Sequence, residues 1–135
     1  MKTAFSGMAT HQPYFLGILR IVAGYCFFLH GTQKLFGIPA TDKVIDLASL
    51  MGASGILEFI LGGMILVGFQ TRLAGFLASG MIAIGYFIAH AKLGNFWLPL
   101  QNRGEAAVLF CFIFLYLWSA GGGKWALDNL LAKHK

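Results

Sequence analysis

Residues 14–36 read YFLGILRIVAGYCFFLHGTQKLF, and this apolar run holds three ionisable side chains, Arg20, His30 and Lys34. At a rise of about 1.5 Å per residue, a helix of this length crosses a hydrocarbon core of about 30 Å. A charged side chain inside hydrocarbon costs several kcal/mol, so such residues usually face a bundle interior, a partner or a cavity. The stretch therefore predicts a membrane-spanning helix whose polar side chains point towards other protein groups.

Three more apolar stretches follow, at residues 50–69, 72–89 and 105–120. The chain is 58% hydrophobic and 11% charged, whereas soluble domains contain about 25% charged residues. A soluble protein of 135 residues could not hide this much apolar surface. We therefore predict an all-α fold, an integral-membrane, antiparallel four-helix bundle that forms a single domain over residues 1–135.

The connections between the four stretches differ in length. Residues 68–72 form a tight turn, which predicts an antiparallel hairpin of the second and third spans. The connection at residues 37–49 is longer, and Pro39 and Thr41 could open a short helix there. After the glycines at 121–123, three leucines share one helical face, which predicts a short C-terminal helix along the membrane surface. The apolar positions of these two short helices are Val44, Ile45, Leu47 and Leu50, and Leu127, Leu130 and Leu131.

The distribution of basic residues predicts the orientation of the chain. Four spans place both termini on the same side of the membrane. The net charge of +5 is spread over loops and tails, which indicates contact with anionic lipid headgroups and not with nucleic acid. A cytoplasmic location of the termini gives that side the larger number of basic residues, as the positive-inside rule favours. That side carries Lys2, Arg72, Lys124, Lys133 and Lys135, and the other carries Lys43, Lys92 and Arg103.

Small residues indicate where the helices pack. Gly75, Ser79 and Ala83 recur every four residues in the third span, so a neighbouring backbone can approach closely along this stripe. The two cysteines, Cys26 and Cys111, lie inside apolar stretches and are interpreted as small buried hydrophobic residues. A disulfide or redox pair between them stays open, because sequence spacing does not exclude it.

Ionisable and polar residues of the four spans are expected to meet in the half of the bundle away from the termini. Arg20, His30 and Lys34 fall within about one quadrant of the first helix. Glu58 lies at a depth comparable with that of His30. An apolar pocket edged by such groups suits a lipophilic molecule with one or two carbonyl or hydroxyl oxygens, and a quinone fits that description. The predicted ligand-binding residues are Arg20, His30, Gln33, Lys34, Glu58, His90, Arg103 and Glu105.

Several roles stay open for these residues. Glu58 could neutralise Lys34 or Arg20, or accept a hydrogen bond from His30, and a histidine beside a carboxylate can transfer a proton near neutral pH. Lys34 could instead extend to lipid headgroups. Arg20 and Glu58 could form only an interhelical clamp, and His90 could lie in a solvated loop. His30 and His90 alone do not specify a metal or haem site, and no catalytic residue is assigned.

The order and spacing of several short motifs resemble the DoxX family over nearly the whole chain. The motifs are LRIVAG at 19–24, HGTQKLFG at 30–37, Glu58 before Gly62-Gly63, LVGF at 66–69, Thr71-Arg72, NRGE at 102–105 and GGGKWALD at 121–128. The resemblance implies a four-helix protein of the bacterial inner membrane. It also implies a link to redox chemistry, because the family takes its name from a small subunit of a thiosulfate:quinone oxidoreductase.

Two functions from different classes follow. The first is a membrane subunit of a redox complex that binds a quinone or a similar ring, has no intrinsic cofactor and works with a partner membrane or peripheral redox protein. The second is an assembly or chaperone-like accessory protein whose polar groups only hold the bundle together. A small transporter, which would have to form a homo-oligomer, is a weaker third alternative. Whether the chain has any catalytic activity is left open.

Overall fold

Four apolar helices and one short terminal helix make up this computed structural model, which describes residues 6–43 and 45–133. A short 3-10 helix, Ser6–His11, leads into the first helix, and a π-helical turn, Tyr86–His90, extends the third. Within the described residues there is no β-strand, so the predicted all-α bundle is confirmed. The helices are α1 (Gln12–Phe36), α2 (Leu50–Val67), α3 (Thr71–Gly85), α4 (Glu105–Ala120) and α5 (Leu127–Ala132).

The helix ends follow from local sequence signals. α1 has Pro13 in its first turn, where a missing N–H costs nothing, and ends at Gly37, whose φ of 66° is left-handed. α2 begins after Ser49, whose hydroxyl accepts a hydrogen bond from the Gly52 amide at 3.1 Å. It ends at Gly68, also left-handed with φ 74°, which allows the tight predicted turn into α3.

The helices have the length and surface of membrane spans. Three segments, Gly7–Phe36, Leu50–Val67 and Thr71–His90, are long and apolar enough to cross a bilayer, and Glu105–Ala120 is a shorter apolar helix. Their outward faces are hydrophobic, since Val22, Phe76 and Phe112 are 55%, 51% and 65% exposed on the protein alone. Such a surface is stable only against lipid, and the protein is therefore a membrane protein.

The bundle consists of two helix pairs, α1 with α2 and α3 with α4, because contacts within these pairs far outnumber those between them. Glycines allow the close approach in the first pair: a Cβ at Gly24 would lie 2.6 Å from the Leu66 nitrogen. In the second pair a Cβ at Gly75 would lie 2.8 Å from the Phe114 carbonyl oxygen, and Ser79 Oγ donates to the Cys111 carbonyl at 2.9 Å. The predicted packing stripe is thus confirmed at Gly75 and Ser79.

The start of α1 and the segment after α4 meet at one end of the bundle. The Lys124 amide donates a hydrogen bond to the Pro13 carbonyl at 2.8 Å, so the segment after α4 returns to the start of α1. We call this the terminal end and the opposite one the distal end. Between them lies a hydrophobic core contributed by all four spans, which includes Phe27, Leu61, Ile65, Ala78, Ile82, Phe114 and Leu117.

Two sequence expectations are wrong. No helix forms in the described part of residues 37–49, and Val44 lies outside the described residues. Thr41 Oγ1 accepts a hydrogen bond from the Lys43 amide, and the Asp46 carboxylate accepts one from the Ala48 amide, so side chains take amides that a helix would need. Cys26 is exposed on the outside of the bundle, not buried, and neither cysteine is in a disulfide.

Candidate functional site

An ion pair joins α1 to α2 towards the distal end. Lys34 Nζ lies 2.7 Å from Glu58 Oε1 and 3.0 Å from the Ser54 hydroxyl oxygen. Gly55 makes room for the lysine, because a Cβ there would lie 2.8 Å from Lys34 Cβ. The side chains of Lys34 and Glu58 are only 19% and 12% exposed, which strengthens their attraction relative to a pair in water.

The second oxygen of the same carboxylate is left without a partner. Glu58 Oε2 is buried, and no described residue donates a hydrogen bond to it. A buried acceptor without a donor costs roughly 1–3 kcal/mol, so this oxygen adds to the free-energy cost of holding the carboxylate between the helices.

The ion pair lies at the wall of a cavity of about 690 Å³ between the two helix pairs. This volume is in the range of small-molecule sites, and most of the lining is aliphatic or aromatic. Leu57 and Ile84 line the cavity and are 44% and 62% exposed, so it reaches the lipid-facing surface between α2 and α3. A molecule dissolved in the bilayer could therefore enter from the side.

The π-helical turn and the loop before α4 form the distal wall. Asn102 is 2% exposed, and its Nδ2 donates to the Tyr86 hydroxyl oxygen at 2.8 Å, while the Gly104 amide donates to its Oδ1 at 2.8 Å. The Tyr86 hydroxyl in turn donates to the Phe96 carbonyl at 2.7 Å. This network holds the backbone of the loop, including Arg103, which has a left-handed φ of 60° that is uncommon for a residue other than glycine.

The same loop fixes the tautomer of His90. Nδ1 of His90 lies 3.0 Å from the Asn102 carbonyl oxygen. A carbonyl oxygen only accepts, so Nδ1 carries the hydrogen, and in the neutral ring Nε2 is an acceptor.

An aromatic cluster forms the floor of the cavity. The ring of Phe27 packs on Phe114 with centroids 4.9 Å apart, and Phe110 stacks on Phe114 at 5.6 Å. The His30 ring meets the edge of Phe110 at 6.1 Å and also lines the cavity. Flat apolar rings next to a histidine suit a ligand that is itself a ring.

Five of the eight predicted ligand-binding residues line this cavity: His30, Lys34, Glu58, His90 and Arg103. The structure places the other three elsewhere. The Gln33 amide donates to the Pro39 carbonyl at 3.3 Å and holds the chain that follows α1. Glu105 is exposed in the first turn of α4, where its negative charge interacts favourably with the helix dipole.

Arg20 lies at the terminal end and does not pair with Glu58. It is fully buried, and its guanidinium group donates to the carbonyls of Ile65, Leu66, Gly122 and Lys124. The planar fork of an arginine matches several acceptors at once, which a lysine cannot do. Arg20 therefore joins the end of α2 to the glycine-rich segment and has a structural role here.

Asp128 completes the closure of the terminal end. Its two carboxylate oxygens accept hydrogen bonds from the amides of Gln70 and Thr71, at 2.7 and 2.9 Å, and so cap the start of α3. An anion at a helix N-terminus satisfies free amides and interacts favourably with the helix dipole. The Asp128 amide donates back to the Gly68 carbonyl at 2.9 Å.

Comparison with known proteins identifies the family. The DoxX family profile matches residues 15–91, more than half of the chain. The chain belongs to the DoxX family. A protein of Haemophilus influenzae without an assigned function is 37% identical to this DoxX chain, over 95% of the chain and 98% of its own length.

Two further relatives are each 30% identical. One is an uncharacterized membrane protein of Mycobacterium tuberculosis, aligned over 85% of this chain and 80% of its own length. The other is a Bacillus subtilis protein named "Putative oxidoreductase CatD", aligned over 87% of both chains. No solved structure matches this DoxX chain significantly.

Sequence reasoning missed several residues of the cavity and of the terminal end. Tyr86 and Phe110 were not selected because an aromatic side chain in an apolar protein carries no charge to mark it, and Asn102 was not selected because it lies outside the predicted spans. The signal that could have found Asn102 is its place in the NRGE motif, next to Arg103. Among the described residues, no group of three or more histidine, cysteine, aspartate or glutamate side chains gathers to hold a metal ion.

Proposed function

We propose that this DoxX protein is a membrane subunit that binds a quinone or a similar lipophilic ring for a redox complex. The observation that carries the proposal is the cavity of about 690 Å³, which combines an apolar lining with polar groups at its edge. Lipophilic ligands bind in such sites, where most of the surface is apolar and a few polar groups set the orientation.

The position of the polar groups supports a ring with oxygen substituents. Lys34 and Glu58 lie on the α1–α2 side of the cavity, and His90 and Arg103 lie at its distal wall. Each of these groups can bind an oxygen substituent of a ring. The opening between Leu57 and Ile84 supports entry from the bilayer, where such molecules dissolve.

A partner protein is part of the proposal. Oxidation or reduction of a bound ring requires a protein that supplies or removes electrons, and we propose a membrane or peripheral redox enzyme in this role. The printed name of the Bacillus subtilis relative supports a redox context. We also propose a location in the bacterial inner membrane with cytoplasmic termini, because the positive-inside rule favours that orientation.

The test is native mass spectrometry of the protein extracted gently from its own membrane. We expect a bound mass that matches a quinone or quinol, and its loss in the double variant His30→Ala/Glu58→Gln. Glu105→Gln is the matched control, because Glu105 is an exposed carboxylate that does not line the cavity. Unchanged retention of the ring in the double variant would refute this site, and a wild-type protein without any ring would refute the function.

An assembly or chaperone-like role is the second candidate function. It is favoured by the polar groups of the terminal end, since Arg20 and Asp128 bind backbone groups of their own chain and need no ligand. Under this alternative the gently extracted protein would copurify with a membrane protein outside redox metabolism and would carry no ring.

A further inference from the structure

The chain passes from the first helix pair to the second only once, and it does so at the terminal end. The turn at residues 68–70 leads from α2 into α3. The connection at residues 37–49 joins α1 to α2, and the connection at residues 91–104 joins the third span to α4. Each of these two connections stays within its own pair, so at the distal end the chain does not tie one pair to the other.

Hydrogen bonds between the two pairs are found at the same end. Arg20 Nε of α1 donates to the Gly122 carbonyl at 2.8 Å, and the Lys124 amide donates to the Pro13 carbonyl at 2.8 Å. The segment after α4 is therefore fastened to the start of α1. Among the described residues, no hydrogen bond or ion pair joins α1 or α2 to α3 or α4 in the distal half of the bundle.

Each pair is nevertheless held together internally at its distal end. In the first pair, Lys34 Nζ lies 2.7 Å from Glu58 Oε1. In the second pair, His90 Nδ1, on the π-helical turn, lies 3.0 Å from the carbonyl oxygen of Asn102, just before α4. The two helices of a pair are thus expected to move together, as one unit.

Contacts between the pairs are apolar beyond the terminal end. Midway along the bundle, the Phe27 ring meets the rings of Phe110 and Phe114, with centroids 5.9 and 4.9 Å apart. Lipid tails are as apolar as these side chains, so no hydrophobic driving force opposes separation of the pairs in a bilayer. Separation at the terminal end would instead break a hydrogen bond of the fully buried Arg20. The terminal end is therefore the fixed end, and the distal end is free to move.

Glycines occupy both places where the backbone passes between the pairs at the terminal end. Gly68 lies in the turn from α2 to α3 and has a φ of 74°. Gly121 and Gly123 lie in the segment that returns from α4 to α1, with φ of 87° and 67°. Glycine has the widest range of backbone angles, and a few such residues in a connection can absorb the rotation of the elements that they join.

We propose that the two helix pairs rotate as two units about the terminal end, so that the distal cavity opens and closes towards the bilayer. The segment Thr71–His90 has 20 residues, so its distal end lies about 30 Å from the turn, and a rotation of about 10° displaces it by about 5 Å. The motion goes beyond ring binding, because it follows from how the pairs are joined and requires no particular ligand.

The test is a distance measurement by double electron–electron resonance between two nitroxide labels, on the protein in lipid nanodiscs without added ligand. The native cysteines are first removed as Cys26→Ser/Cys111→Ala. Labels at Ile56→Cys on α2 and Phe87→Cys on the third span report the distance between the pairs at the distal end. We expect a distance distribution that is split, or is at least about 5 Å wider than the distributions of both control label pairs.

Two further label pairs are the matched controls. Phe87→Cys/Leu109→Cys lies within the second helix pair at the distal end, and Ile18→Cys/Leu73→Cys joins the two helix pairs near the terminal end. Both should give narrow distributions, because the first does not cross between the helix pairs and the second lies close to the hinge. The side chains replaced at all these label sites are exposed, and none lines the cavity.

Each other outcome overturns the proposal. A distal distribution as narrow as the controls means that the bundle is one rigid body, and equal widening at both ends means that the pairs separate without a hinge. Widening within the second pair means that its helices move individually. Should the first distal label pair fail to fold, Phe36→Cys/Leu109→Cys gives the same measurement between α1 and α4.

The hinge and the proposed function are tested separately. Native mass spectrometry reports on the bound ring, and the label distances report on the motion. A rigid bundle that retains a ring overturns only the hinge, and a hinged bundle without a ring overturns only the proposed function.

Discussion

Lys34 and Glu58 form an ion pair that is shielded from water but not fully buried, with side chains 19% and 12% exposed. Removal of one partner leaves the other charge in a poorly solvated place, whereas removal of both leaves only apolar surface. Removal of one residue of the pair is therefore expected to lower the free energy of unfolding more than replacement of both residues by apolar ones.

We predict that Lys34→Met lowers the free energy of unfolding by about 1–3 kcal/mol, while the double variant Lys34→Met/Glu58→Leu stays close to the wild type. The measurement is unfolding in mixed detergent micelles, combined as a double-mutant cycle. Lys92→Met, which removes an exposed lysine, is the control. Equal destabilisation in the single and the double variant would contradict the explanation.

The sequence left the partner of Glu58 open among Lys34, Arg20 and His30, and the reason is geometric. Helical periodicity shows which residues share a face, but not how far one helix is shifted or rotated against the next. Gly55 settles the choice, because its missing side chain leaves room for Lys34 beside α2. Arg20 is too far along α1 towards the terminal end, where it binds four carbonyls instead.

At the scale of the elements, close approach of α1 and α2 depends on positions that admit no side chain. A Cβ at Gly31 would lie 2.7 Å from the Cα of Phe59, a backbone atom that cannot move independently of α2. A Cβ at Gly80 would meet nothing within 4 Å.

We predict that Gly31→Ala destabilises the protein by about 1–3 kcal/mol, because it forces the two backbones apart. Gly80→Ala is the matched control, and it should be neutral or stabilise by up to about 1 kcal/mol, since alanine favours the helix more than glycine does. Thermal unfolding in the same detergent measures both. A similar loss in the two variants would mean that helix pairing does not depend on Gly31.

Hydropathy predicted the four spans within a few residues because bilayer thickness sets their length. It did not predict the π-helical turn at Tyr86–His90, since an extra residue in a turn leaves hydropathy unchanged. Pro39 and Thr41, as residues that often start helices, suggested a helix in residues 37–49, where Thr41 and Asp46 instead hold the chain in turns.

At the scale of the whole molecule, the two ends of the bundle have different roles. The distal end carries the cavity with Glu58 and His90, and the terminal end carries the closure made by Arg20 and Asp128. The groups that we assign to ring binding and to closure belong to separate networks of contacts.

We predict that Arg20→Lys lowers the free energy of unfolding by about 2–4 kcal/mol, because one ammonium group cannot replace a fork that reaches four carbonyls. The affinity of the folded protein for a decyl-substituted quinone should remain within about twofold of the wild type, because additive behaviour is expected for independent sites. Thermal unfolding and quinone binding on the same sample give both numbers. A large loss of affinity with unchanged stability would place Arg20 in the ligand site, as the sequence first suggested.

The closure at the terminal end also sets the order in which the protein can be completed during synthesis. Arg20 leaves the ribosome about a hundred residues before Gly122 and Lys124, two of its four carbonyl partners. Until then the first helix carries a guanidinium group whose hydrogen bonds are only partly formed, in surroundings where water is scarce. A chain that ends before Gly122 is therefore expected to be recognised by the quality-control proteases of the cell as an incompletely folded membrane protein, even though it contains all four spans.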